Sequence, residues 1–267
     1  MSLLYEKRGQ ICYLTLNRPQ VCNAVDPEMA VALEDAWLDY RADPKLRCAI
    51  ITGAGEAAFC SGGDLAKTIP LVTGARPPAN EADRRLLADR GVLDRAFLWG
   101  IDLYKPVIAA INGDAIAGGM EMLYGTDIRI AASGARFGLQ EVRWGIVPKA
   151  GSAVLLPRQI SHVRAMEILL TGELISAEQA LEYGFINRIV PKHRVLEEAE
   201  RFAALIVRNG PLAVAAVKQL VRATSGMSIS DSYALEQRVS APVFSSRDAQ
   251  EGPRAFKEKR SPEFRGE

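Results

Sequence analysis

Residues 106–122 read PVIAAINGDAIAGGMEM, and the succession of residue types in this stretch sets the fold class. Val107 to Ile111 are all apolar, with no polar residue alternating between them, which is the pattern of a strand covered on both faces. Asn112-Gly113 is a tight-turn dipeptide. Gly118-Gly119 then leads into a helix-like segment beginning near Met120. A buried strand that reaches a helix through glycines is a unit of an α/β fold with a mainly parallel sheet.

The same order occurs upstream. The apolar CAIIT at 48–52 is followed by GAG and then AFCSGGDL at 58–65. Further short strands are ICYLTLN (11–17), DIRIAA (127–132) and INRIV (186–190). Between the first two strands, DPEMAVALEDAWLDYRAD (26–43) has helical spacing, with Met29, Leu33, Ala36, Trp37 and Tyr40 near one face. Asp26 is suited to the N-cap and Pro27 to the first helical position. From Pro191 the pattern is helical to the end, and Asn209-Gly210-Pro211 separates two of the segments. We therefore expect an α/β core over 1–195 and a helical C-terminal region over 196–267. Thr73–Asp83 (TGARPPANEAD) reads as a mobile loop or lid.

Composition narrows the function classes. The chain has 267 residues, is 48% hydrophobic and carries a net charge of +1, so no strong field draws it to nucleic acid or an anionic membrane. The start, MSLLYEKRGQ, lacks the apolar run of a signal peptide, and no segment is long and apolar enough to span a bilayer. The expected location is cytoplasmic. Cys12, Cys22, Cys48 and Cys60 form no C-x-x-C pair and read as reduced thiols. His162 and His193 stand far apart without ligand spacing, so no metal is expected. Gly53–Ala58 formally fits G-x-G-x-x-G/A, but no acidic residue follows at the end of a second strand, and a turn is the better account. No P-loop motif occurs.

Several chemistries remain open at AFCSGGDL. Cys60 or Ser61 could be a nucleophile, the glycines could cradle a phosphate, or the backbone itself could be the working group. Two strand ends followed by small residues offer two places where N–H groups approach a ligand without a Cβ in the way. Two such donors aimed at one oxygen make an oxyanion hole. Glu121 lies within the first turn after Gly118, and Glu141 lies in FGLQEVRWGIVP after the DIRIAA strand. Loops at one edge of a parallel sheet converge, so these two carboxylates could share a pocket and act as acid and base toward water.

Six segments in order resemble the enoyl-CoA hydratase/isomerase, or crotonase, family: LTLNRPQVCNAV, AIITGAGEAAFCSGGDL, KPVIAAINGDAIAGGMEMLYGTDIRIAA, FGLQEVRWGIVPKAGS, LLTGELISAEQALEYGFINRIVP and EGPRAFKEKRSPEF. The resemblance implies a crotonase-like (ClpP/crotonase) spiral of ββα units with a helical C-terminal oligomerisation region, assembled as a homotrimer or hexamer. It implies an acyl-CoA thioester substrate and no separate cofactor. By the match, the amides of Ser61 and Gly118 hold the thioester oxygen, while Gly62 and Gly63 permit close approach. Asp64 is the motif's acid and reads as a cap for the segment that follows. Coenzyme A is expected near Asn23, Ala24 and Ser61–Lys67. Phe256 and Lys259 match an aromatic and a lysine that a neighbouring subunit lends to the nucleotide.

Both matched glutamates are present, which implies syn hydration of a trans-2-enoyl-CoA, with Glu121 as base toward water and Glu141 as proton donor to C2. Three features depart from the family pattern, one of them Met120 and Met122, which flank Glu121 and read as packing. The segment 65–104 is long, and in the family this region lines the acyl pocket. Lys149 stands where relatives usually have a small or acidic residue, beside the Glu141 loop; it reads as a surface residue, with the alternatives that it lowers that carboxyl's pKa or meets a polar substrate. Same-fold rivals are an enoyl-CoA isomerase, a carnitinyl-CoA-type dehydratase and a decarboxylase. A rival from another class is a non-catalytic acyl-CoA or RNA-binding relative.

Overall fold

The computed structural model describes residues 1–267, and its main sheet starts one strand earlier than the apolar pattern indicates. β1 (Leu3–Arg8) pairs antiparallel with β2 (Ile11–Leu16), then α1 (Pro27–Ala42) leads to β3 (Cys48–Gly53) and β4 (Ala58–Cys60). Next come α2 (Thr68–Val72), α3 (Glu81–Ala88), α4 (Gly91–Ala96), β5 (Val107–Ile111), β6 (Asp114–Ile116) and α5 (Gly118–Leu123). β7 (Ile128–Ala132), β8 (Arg136–Gly138), α6 (Ser152–Gln159), α7 (His162–Thr171), β9 (Ile175–Ser176), α8 (Ala177–Glu182) and β10 (Arg188–Val190) complete the α/β part. Four helices follow: α9 (Val195–Val207), α10 (Pro211–Ala223), α11 (Ile229–Phe244) and α12 (Arg247–Lys257).

The main sheet has the order β1-β2-β3-β5-β7-β10 and is parallel from β2 onward. A second sheet, β4-β6-β8-β9, is built of very short strands. The chain crosses from the first sheet to the second after β3, β5 and β7 and then enters a helix each time. This is the ββα repetition that the resemblance implies. β1 escapes the sequence reading because LLYEKR is an edge strand, and edge strands carry charges that discourage pairing with other chains.

The buried sheet strands meet the expected pattern. Val107–Ile111 are buried at every position. In α1 the Asp26 side chain accepts from the Met29 N–H at 3.0 Å, and Met29, Leu33, Ala36, Trp37 and Tyr40 are all buried. Asn112 ties the turns of the two sheets together: its Oδ1 accepts from the Gly53 N–H at 3.0 Å and its Nδ2 donates to the Gly55 carbonyl at 2.9 Å.

Two boundaries differ from the expected ones. α9 packs across β3, β5 and β7 and buries Val195, Ala199 and Ala203 in the main core. The α/β part therefore extends to Val207, and the helical extension begins with α10; a small-residue face on α9, suited to covering a sheet, was invisible as such in the sequence. The stretch Thr73–Asp83 also ends inside α3, capped by the Asn80 side chain on the Asp83 N–H at 2.8 Å. The Arg76 guanidinium grips the Asp83 carboxylate with both Nη atoms, at 2.5 and 2.8 Å.

Candidate active site

The site begins with a strained turn. Ala117, ahead of α5, has φ +52° and ψ −126°, and its carbonyl accepts from the Met120 and Glu121 N–H groups at 2.9 and 3.0 Å. Gly118 is the first residue of α5, so no turn of its own helix can satisfy its amide. The following residue has to be glycine, because a Cβ on Gly119 would lie 2.0 Å from the Cys60 carbonyl oxygen. Across the gap, Gly62 has φ +92°, and a Cβ there would meet the Gly118 nitrogen at 2.7 Å. The two glycine loops thus touch, and only glycines allow it.

The donor expected from the first loop is already engaged within the chain. The Ser61 N–H donates to the Cys22 carbonyl at 3.0 Å and is not free. Gly63 sits in an isolated bridge to Val25 that uses the Gly62 carbonyl and the Asp64 N–H, and leaves the Gly63 amide without an acceptor in the chain. The free amides beside each other are therefore those of Gly63 and Gly118. The Cys60 thiol is buried, and burial pushes it up to about 12, so it is no nucleophile near neutral pH.

Two carboxyls lie close to each other beyond Gly118. Glu121 is buried on α5, and its pKa is pushed up to about 7, first by burial and then by the Glu141 charge. The Ser152 hydroxyl, on α6, donates to Glu121 Oε1 at 3.0 Å and opposes that rise. Glu141 opens a 3-10 turn over Glu141–Trp144, and burial raises its pKa as well. Its Oε2 is buried with no hydrogen-bond partner, and so is the Tyr124 hydroxyl. Unpartnered polar atoms in an otherwise satisfied interior mark space for a ligand or water.

The long 65–104 segment returns to this place. The Phe97 ring packs within about 3.0 Å of where a Gly118 Cβ would stand, and Trp99 lies 3.6 Å from the same position on Gly151. α4 is held to α1 by Trp37 Nε1 donating to the Ala96 carbonyl at 3.2 Å and by Arg95 Nε donating to Glu34 at 2.5 Å. Asp94, a neighbour in α4 that the sequence reading missed, adds its charge to those raising Glu121, and its own pKa is raised by burial against the pull of Lys149. The Asp94 carboxylate has no hydrogen bond or ion pair within the chain. Lys149 thus acts on Asp94 through its charge and on Glu121 through its backbone N–H, and not on Glu141 as one of the expected alternatives had it.

The remaining expected residues fall into two groups. Asn23, with φ +56°, spends its side chain inside the protein: Oδ1 accepts from the Arg18 N–H, and Nδ2 donates to the Ala54 and Ala58 carbonyls. The Ala24 carbonyl accepts from Arg18 Nη1 at 2.6 Å. Asp64 caps the turn before α2 by accepting from the Ala66 and Lys67 N–H groups, and Arg18 Nη1 reaches its other oxygen at 2.8 Å. Lys67 Nζ is half-exposed and paired with Asp26 at 2.9 Å. A cavity of about 290 Å³ opens here, lined by Asp26, Lys67, Arg76 and Asn80 among others. Phe256 is exposed at the end of α12, and Lys259 follows it in left-handed backbone. Both are remote in sequence from the loops described above.

Comparison with known proteins accords with this geometry. Residues 6–267 match the model of the enoyl-CoA hydratase/isomerase family. The chain is 42% identical to the enoyl-CoA hydratase EchA19 of Mycobacterium tuberculosis, covering 98% of this chain and 95% of the relative. It is 40% identical to the carnitinyl-CoA dehydratase of Salmonella arizonae, over 99% of this chain and 98% of that protein. Among solved structures, an enoyl-CoA hydratase from Mycobacterium tuberculosis H37Rv superposes with a TM-score of 0.88 at 35% identity, covering 100% of this chain and 99% of the other.

Proposed function

Because the chain belongs to the enoyl-CoA hydratase/isomerase family, we propose that it adds water syn across the double bond of a trans-2-enoyl-CoA and catalyses the reverse dehydration of the 3-hydroxyacyl-CoA. The observation that carries this reading is the pair of carboxyls, buried Glu121 and half-buried Glu141, together with the free amides of Gly63 and Gly118. A lone carboxylate would serve proton shuttling in an isomerisation; a pair is what water addition needs.

In the forward direction Glu121, half-ionised near neutrality, takes a proton from water as the oxygen bonds to C3. The C2–C3 π electrons move to C2, and the thioester oxygen carries the developing negative charge. Glu141, whose pKa burial raises, delivers a proton to C2. The Gly63 and Gly118 amides donate to the enolate oxygen, and such fixed donors are worth about 3–4 kcal/mol of barrier each. One proton leaves water for Glu121 and one leaves Glu141 for C2; exchange with solvent restores both acids.

Lys67 and Arg76, at the cavity beside Asp64, supply cations for the coenzyme A phosphates. Exposed apolar residues Val217, Val221, Ile229, Tyr233 and Phe244 on α10 and α11 support assembly into a trimer or hexamer. In such an assembly Phe256 and Lys259 can close over a neighbour's nucleotide.

A second reading is dehydration of a polar 3-hydroxyacyl-CoA, as in a carnitinyl-CoA-type dehydratase. The charged Asp94 and Lys149 near Glu121 favour it. Incubation with a panel of trans-2-enoyl-CoA thioesters in ¹⁸O water tests the proposal. Product carrying one ¹⁸O at C3 is expected; isomerised thioester without added water would overturn the hydratase reading.

A further inference from the structure

Ser152 stands apart from the residues that the reaction itself calls for. It is the first residue of α6, it is buried, and its own N–H is fixed on the Lys149 carbonyl at 3.0 Å. Its hydroxyl donates to Glu121 Oε1 at 3.0 Å, and no other side chain in the protein donates to either Glu121 oxygen. The Tyr124 hydroxyl, buried on the other side, comes near Ser152 without reaching hydrogen-bonding geometry and has no partner.

The surroundings of Glu121 make that one donor consequential. Glu141 from the 3-10 turn and Asp94 from α4 both disfavour its anion, and so does burial. The Ser152 hydroxyl and the Lys149 N–H favour it. Tyr124, one turn along the same helix, faces Ser152, with the buried Arg129 guanidinium beyond. A base must be ionised and aimed. The Ser152 hydroxyl on Oε1 serves both: with the Lys149 N–H it stabilises the charged form, and as the one side-chain donor it restricts how the carboxylate can turn.

We propose that Ser152 is a positioning residue for Glu121, holding Oε1 so that the carboxylate is aimed at the attacking water. The inference rests on the reading of Glu121 as the base. Ser152 touches no reacting atom itself.

The test follows Glu121 in two ways. Infrared difference titration, with Glu121→Gln as the reference, reads the carboxyl directly and needs no turnover. Ser152→Ala should move that titration up by about one pH unit, the size of one hydrogen bond to a charged group. Ser152→Cys, a weaker donor, should fall between, and Ser152→Thr should restore the wild-type value; these also carry the test if the alanine variant fails to fold. In the hydration assay Ser152→Ala should lower kcat about tenfold at pH 6–7 with KM within about twofold, and the acid limb should move up with the titration. An unmoved Glu121 titration in Ser152→Ala overturns the proposal whatever happens to turnover. A wild type that titrates as described but hydrates nothing overturns the hydratase reading instead.

Discussion

The Ser61 amide donates to the Cys22 carbonyl at 3.0 Å, and this bond decides which backbone group of AFCSGGDL can work. The Ser61 hydroxyl and amide are both outside the reaction on this account. Ser61→Ala should keep kcat within about twofold. Gly63→Pro removes the free amide and should cost about 10²–10³ in kcat, the usual loss for one oxyanion donor. Steady-state kinetics on trans-2-enoyl-CoA, with thermal melting to check the fold, distinguishes the two.

Glu121→Gln and Glu141→Gln each remove one proton-transfer partner while keeping the shape of the side chain. Each should lower kcat by about 10²–10⁴. Acyl-CoA affinity, measured by calorimetry, should stay within a few-fold, since neither carboxyl holds the coenzyme A part. Near wild-type turnover in either variant would remove that residue from the mechanism.

Much of this was legible in the sequence, for reasons that particular residues show. Val107–Ile111 declare a buried strand because every position is apolar, and Asp26-Pro27 declares a helix start because each residue is suited to its place. The crossings to the second sheet were hidden, because strands such as Ile175–Ser176 are too short to carry a period. The free amide was hidden for another reason. Whether Ser61 or Gly63 keeps its N–H depends on carbonyls supplied by Cys22 and Val25, far back in the chain, and no residue type signals that. Ser152 and Asp94 were missed because a serine after glycine and an acid in an amphipathic helix look like a cap and a solvated face.

The raised pKa of Glu121 has a consequence for stability. Its folded value, about 7, lies above the ordinary carboxylate value of 4.5. The folded state therefore binds this proton more tightly than the unfolded chain, so the group's contribution is full below about pH 4.5 and is lost as pH rises through 7. Glu121→Gln should be more stable than wild type at pH 8, by on the order of 3 kcal/mol, and melt at a correspondingly higher temperature. The difference should shrink toward zero at pH 5. Equal melting at both values would mean that the carboxyl carries no such burden.

Asp94 acts on Glu121 in the opposite sense to Ser152. Its charge disfavours the Glu121 anion, so Asp94→Asn should move the acid limb of kcat/KM down, by less than about one pH unit. A pH profile from 5 to 9 measures this. A limb that stays in place would leave Asp94 as a group lining the acyl pocket only, to be sought through changed preference among polar acyl chains.

The most direct measurement of the central claim is the conjugated-thioester absorbance after crotonyl-CoA is added to purified protein. The account predicts its rapid loss, with 3-hydroxybutyryl-CoA as product and with Glu121→Gln inactive under the same conditions. Unchanged absorbance, for crotonyl-CoA and for longer and polar trans-2-enoyl-CoA thioesters that demonstrably bind, would contradict it.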